Sequence, residues 1–107
     1  MSRFDEVLQR LAATIEARRG ADPAASWSAR LIADRPLAAK KLAEEAMEAA
    51  LAAVQGETDA LAAESADLIY HWLVVLAVAG VSLDEVAARL EAREGRSGVE
   101  EKAARKR

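Results

Sequence analysis

Phe4, Val7, Leu8, Leu11 and Ile15 recur at three- and four-residue intervals, with polar residues filling many of the positions between. That spacing puts all five on one stripe of a helix over about 3–18, which ends at the run RRGADP with its breakers Gly20 and Pro23. A short second helix is expected over about 26–34, with Ser26 as a cap, Leu31 and Ile32 facing inward and Pro36 closing it. Pro36 also suits the first turn of a third helix, about 36–55, which stops at Gly56. A fourth runs from about 58 to 79; Thr58 can cap it and Gly80 can terminate it. VSLDEV then starts a fifth, to about Glu94: Ser82 and Glu85 make a capping box, with Val81 and Val86 as its staple. Nowhere do β-branched residues alternate over a strand's length, and no repeat is visible. The fold class is therefore all-α, with about five helices. The link QGET is so short that the third and fourth helices must form an antiparallel central pair.

The fourth helix is apolar nearly all round from Leu68 to Val78, and such a helix has to be covered on every side. Four other helices, two of them short, give too little cover. A helical bundle completed by a homodimer is the expectation. The chain has 107 residues, one domain's worth: an all-α domain over 1–94 and a basic tail, 95–107, belonging to it. The run LIYHWLVVLAVAG is shorter than the ~18–20 residues of a membrane span and contains His71, so no membrane is expected. The N-terminus MSRFDEVLQRL has no apolar signal core and cysteine is absent; both fit a mature cytoplasmic chain. Net charge is −3, yet the tail sets five basic residues against two acidic ones and leaves the body at −6. An acidic body argues against a nucleic-acid partner.

The acids are not spread evenly. At about 100° per residue, Glu44, Glu45 and Glu48 fall within an arc of about 100° that Lys41 and Leu51 share. Glu64, Asp67 and His71 span about 60° of the fourth helix, and Val74, Val75 and Val78 continue their stripe. Taken singly these motifs are ordinary: Lys40–Glu44 and Lys41–Glu45 have the spacing of surface ion pairs. Together they place anions at the head of a buried stripe, where unpaired charge is costly. Clustered carboxylates raise one another's pKa unless a cation sits among them. Lysines can supply one, but several oxygen ligands suit Mg²⁺, with Mn²⁺ as a substitute, and Mg²⁺ brings phosphate-bearing substrates. With one histidine and no cysteine, no Ser–His or Cys–His nucleophile set is evident.

Glu45-x-x-Glu48, followed after fifteen residues by Glu64-x-x-Asp67, resembles the divided acidic motif of the MazG-like all-α nucleotide pyrophosphohydrolases. Within them the chain is most similar to the phosphoribosyl-ATP pyrophosphohydrolase family. The segments IEARRGADPAASWSARL, KKLAEEAMEA, ESADLIYHWLVVL, GVSLDEV and SGVEEKAARK carry the likeness in order along nearly the whole chain. Ala43 departs from the family's usual glycine and Trp27 from its usual tyrosine, and neither change removes a ligand.

The resemblance implies hydrolysis of phosphoribosyl-ATP to phosphoribosyl-AMP and pyrophosphate, the second step of histidine biosynthesis, by a Mg²⁺-dependent helical dimer. Glu45, Glu48, Glu64 and Asp67 would then be the metal ligands, with Glu44 as base or accessory ligand. Arg18, Arg19, Lys40 and Lys41 would meet phosphates, against the plainer reading of helix-end cations and ion pairs. Trp27 is either a core anchor or a surface on which adenine stacks. His71 either hydrogen-bonds a metal-bound carboxylate or is a satisfied core residue. Lys102 and Arg105 either close over the substrate or belong to a frayed tail. Two rivals stand: a relative acting on other nucleoside triphosphates, and a helical dimerisation module without activity.

Overall fold

The computed structural model describes residues 2–95. Five helices follow in order: α1 (Arg3–Ala17), α2 (Trp27–Ile32), α3 (Arg35–Val54), α4 (Thr58–Ala79) and α5 (Leu83–Glu91), and no strand occurs among the described residues. The all-α expectation holds. Among the described residues α3 and α4 make the most extensive interface, and α1 and α2 pack on this pair. They run antiparallel, since Arg35 at the start of α3 reaches Val78 at the end of α4.

Local side chains set most of the boundaries. Ser2, Ser26 and Ser82 each accept a hydrogen bond from the main chain three residues on, and the Glu85 carboxylate accepts one from Ser82 N, completing the capping box. The cap of α3 is Asp34, whose carboxylate accepts from Leu37 N at 3.1 Å. Because Asp34 serves α3, α2 ends at Ile32, two residues short of the expected limit, and α3 begins at Arg35. α5 likewise stops at Glu91 rather than Glu94.

Thr58 does not cap α4. The cap position is Glu57 and no side chain fills it, while Thr58 is already helical. The reason lies in the preceding turn. Gly56 takes a positive φ of 72°, Gly56 N donates to Ala53 O and Glu57 N donates to Ala52 O. This left-handed closure of α3 fixes the Glu57 backbone, so α4 starts directly after it. Gly80, with φ 73°, closes α4 in the same way.

The core is small. Ile15, Leu31, Ala38, Leu73 and Val74 are buried, with Leu8, Leu11, Ile32, Leu37 and Tyr70 partly buried around them. α3 presents alanines to the interior, Ala38, Ala49 and Ala52, which let it lie close to α4. Two arginines fasten the far end of α4: Arg19 donates to Ala77 O at 2.6 Å and Arg35 to Val78 O at 3.1 Å. They satisfy carbonyls that a helix end leaves open and bring positive charge to its negative pole.

α4 has 22 residues and a mean hydropathy of 1.5 over its most apolar stretch, enough by length and composition to cross a membrane. Its place here is central to the fold, with α1, α2 and α3 all packed on it. Even so, only His71, Leu73 and Val74 along it are buried. Leu68, Trp72, Val75 and Leu76, one further stripe at helical spacing, stay partly exposed.

If Arg19 and Arg35 hold the end of α4, then R19A and R35A each lower the melting temperature by a few degrees. Thermal melts check this, and an unchanged melting temperature in both variants contradicts it.

Candidate active site

Glu45 and Glu48 stand one turn apart on α3, and Glu64 lies across the seam on α4. One carboxylate oxygen from each lies within 4.8 Å of the others. Glu45 is only 8% exposed, Glu64 is half-buried and Glu48 is open to solvent. The inner oxygens, Glu45 Oε2 and Glu64 Oε2, are shielded from water and have no hydrogen-bond partner. Such atoms are costly unless a proton or a cation joins them.

Glu64 shows the strain. A proton on Glu64 would be shared with Glu48, and this, then burial, then the charges of Glu48 and Glu45 raise its pKa from 4.5 to about 7. Among the described residues Lys41 is the nearest cation, with Nζ 3.1 Å from Glu44 Oε2 and 4.0 Å from Glu45 Oε1. Glu44, and behind it Glu45 and Glu48, raise the pKa of Lys41 and so keep it charged. Three carboxylates with two orphaned oxygens, bordered by an ammonium group, form a group able to hold a metal ion.

Comparison with known proteins follows the same residues. The family model described as phosphoribosyl-ATP pyrophosphohydrolase matches residues 8–94, a span that contains all three carboxylates. The chain belongs to the phosphoribosyl-ATP pyrophosphohydrolase family. A protein of Caulobacter vibrioides named phosphoribosyl-ATP pyrophosphatase is 65% identical over 103 residues, 96% of each chain. One of Caulobacter sp. K31 with the same name is 63% identical over 105 residues, 98% of each. Another, from Cereibacter sphaeroides ATCC 17029, is 58% identical over 100 residues, covering 92% of this chain and 97% of its own.

Within this family member the remaining candidates separate. Asp67 is exposed and lies outside the group of three, one turn further along α4. Glu44 is also outside it: its two oxygens face Lys40 at 3.9 Å and Lys41 at 3.1 Å. His71 is 7% exposed, and its Nδ1 lies 2.8 Å from the main-chain oxygen of Asp67, not from a carboxylate. A carbonyl only accepts, so Nδ1 carries the proton and donates, leaving Nε2 a buried acceptor without a partner.

Arg19 is committed elsewhere, to Glu16 at 2.8 Å and to the end of α4. From Glu64 to Ala77 is thirteen residues of helix, or about 20 Å. Arg18 is exposed beside it, at the end of α1. Trp27 is no core anchor, being 44% exposed with the Arg30 guanidinium over its ring. Lys102 and Arg105 lie outside the described residues. Sequence reasoning passed over Arg35 and the Ser28–Tyr70 hydrogen bond, because each depends on a contact more than forty residues away along the chain.

The raised pKa of Glu64 fixes a pH dependence. Between about 4.5 and about 7 the metal-free folded chain holds a proton that the unfolded chain has released. Stability in EDTA therefore falls as pH rises through that window. In E64Q the fall is much reduced, and saturating divalent metal suppresses it in wild type. Melting curves at several pH values test this; a wild type whose stability rises from pH 5 to 7 in EDTA contradicts it.

Proposed function

We propose that this chain hydrolyses phosphoribosyl-ATP to phosphoribosyl-AMP and pyrophosphate, the second step of histidine biosynthesis, using Mg²⁺ or, in its place, Mn²⁺. The observation that carries the reading is the convergence of Glu45, Glu48 and Glu64 with two shielded, partnerless oxygens. An all-oxygen, strongly anionic donor set fits a hard divalent cation. Glu45, Glu48 and Glu64 would hold it, and Asp67, one turn beyond Glu64, would reach it only by turning in from its solvent-exposed position. When bound, Mg²⁺ neutralises polyphosphate charge and makes a water more acidic.

The chain's own side chains supply the rest. Lys41, already at the edge of the carboxylates, turns its ammonium to a phosphate oxygen, and Lys40 lies one residue before it. Glu44 keeps both lysines beside the cluster, which is the role we give it in place of ligand or base. The water attacks at the α–β phosphate bond, its proton passes to one of the clustered carboxylates, and pyrophosphate leaves. The substrate here is a small nucleotide. The acidic body supports neither nucleic acid nor an anionic membrane surface as partner, in line with a soluble cytoplasmic enzyme.

A second copy of the chain completes this reading. The stripe Leu68, Trp72, Val75 and Leu76 is continuous, apolar and only partly covered, and an α4-to-α4 homodimer would bury it.

Pyrophosphate release from phosphoribosyl-ATP, with Mg²⁺ and with EDTA, tests the activity. Wild type is active only with metal, and E45Q, E48Q and E64Q each lose activity by orders of magnitude. In EDTA E48Q melts no lower than wild type, because a repelling charge has gone, and Mg²⁺ stabilises it much less. A panel of ordinary nucleoside triphosphates turned over faster than phosphoribosyl-ATP would reassign the substrate. Equal melting of wild type and E48Q in both buffers would remove the metal site altogether.

Sedimentation tests the assembly. Wild type is expected as a dimer at micromolar concentration, and W72D or L76D, which put a charge into the apolar stripe, fail to fold stably. A well-folded wild-type monomer overturns the proposed interface.

A further inference from the structure

Lys41 stands where it could close on the carboxylate cluster, and it does not. On α3 it lies three residues before Glu44 and four before Glu45, and a lysine on a helix surface can reach either position. Its ammonium donates to Glu44 Oε2 at 3.1 Å and remains 4.0 Å from Glu45 Oε1, beyond hydrogen-bond length. Attraction between charges alone favours the other choice. Glu45 is the more buried of the two acids, and water screens a pair less the deeper it lies. Yet Glu45 Oε2 has no partner, and the hydrogen bond goes to Glu44. Lys40 steadies Glu44 from its other side, 3.9 Å from Oε1. Glu44 also raises the pKa of Lys41 more than Glu45 or Glu48 does, first through the hydrogen bond and then through its charge.

The two seats open to that ammonium have opposite consequences for a metal ion. On Glu45 it would bring positive charge to the lone pairs that a divalent cation needs, and the two cations would repel. On Glu44 it stays at the rim and leaves those lone pairs alone. We infer that Glu44 is a positioning residue for the metal site: by holding the Lys41 ammonium it keeps Glu45 open to a hard divalent cation. This role rests on the metal-binding part of the proposed function and adds to it a control over affinity. The oxygens of Glu44 lie outside the group of three and face the two lysines. Its influence on the ion therefore passes through Lys41.

The experiment is a double-mutant cycle read by calorimetric titration with Mg²⁺ alone, without nucleotide, on wild type, E44Q, K41M and the double variant. It is run at about 0.15 M salt, where exposed charges are screened from one another. In E44Q the ammonium swings to Glu45, and the dissociation constant for Mg²⁺ rises on the order of 10-fold; in the K41M background the same change costs less than about twofold. The rise in melting temperature on adding Mg²⁺ follows the same order among the four proteins. An equal loss in both backgrounds means that Glu44 acts on the ion directly, by ligation or by charge, and overturns the proposal. No loss in either background overturns it as well. A wild type that binds neither Mg²⁺ nor Mn²⁺ removes the metal site and this role together. If the coupling is found in a protein that releases no pyrophosphate from phosphoribosyl-ATP, the substrate reading fails and the role of Glu44 stands.

Discussion

The close antiparallel contact between α3 and α4 is the constraint on which the rest of this molecule depends. Alanine at 38, 49 and 52 on the inner face of α3 keeps the separation small. A left-handed glycine turn closes the hairpin at one end, and Arg35 on Val78 O closes it at the other. Interaxial distance follows the size of the side chains at a contact. Larger residues at those three positions would move Glu64 away from Glu45 and Glu48. The seam changes character along its length. Near Ala38 and Val74 it is dry and apolar; ten residues along α4 towards its start it is lined by carboxylates.

Those carboxylates work against the fold that positions them. Proton sharing with Glu48, burial and mutual repulsion raise the pKa of Glu64 to about 7, while Lys41 lies 4.0 Å from Glu45 at the edge of the group. A site tuned for stability alone would place a lysine between the acids or an apolar residue at Glu45. Two oxygens without partners make this a group able to hold a cation. The same logic separates the arginines from the lysines. Arg19 and Arg35 spend their donors on helix ends, where they hold geometry, while Lys40 and Lys41 remain at the rim of the cluster.

α4 has two apolar sides with different fates. Leu73 and Val74 are buried in the core, whereas Trp72, Val75 and Leu76 pack against it and stay, like Leu68, only partly covered. Phe4 and Val7 on α1 and Leu90 on α5 are exposed in the same manner. A nine-residue helix with nothing buried, such as α5, has little stability of its own. The proposed second copy would serve these surfaces as well as the α4 stripe.

Helix number, order and most limits were legible in the sequence, because periodicity, serine caps and glycine stops act within a few residues of one another. Where a boundary slipped, one residue served two elements. Asp34 ended α2 by capping α3, and Glu57 belonged to the closing turn of α3 before it belonged to α4. The pairing of ExxE with ExxD was also legible, since a short link between two long helices forces their faces together. The choice among the acids was not: Glu64 crosses the seam to Glu45 and Glu48, while Asp67, about 60° round the same helix, looks to solvent. Nor could spacing show that Arg19 would leave its own helix for Ala77, or that His71 would bond a main-chain oxygen instead of a carboxylate. Local rules decide which helices form and which faces are apolar. The reach of one long side chain across a gap depends on how the helices finally pack, and that was decided only by the tertiary structure.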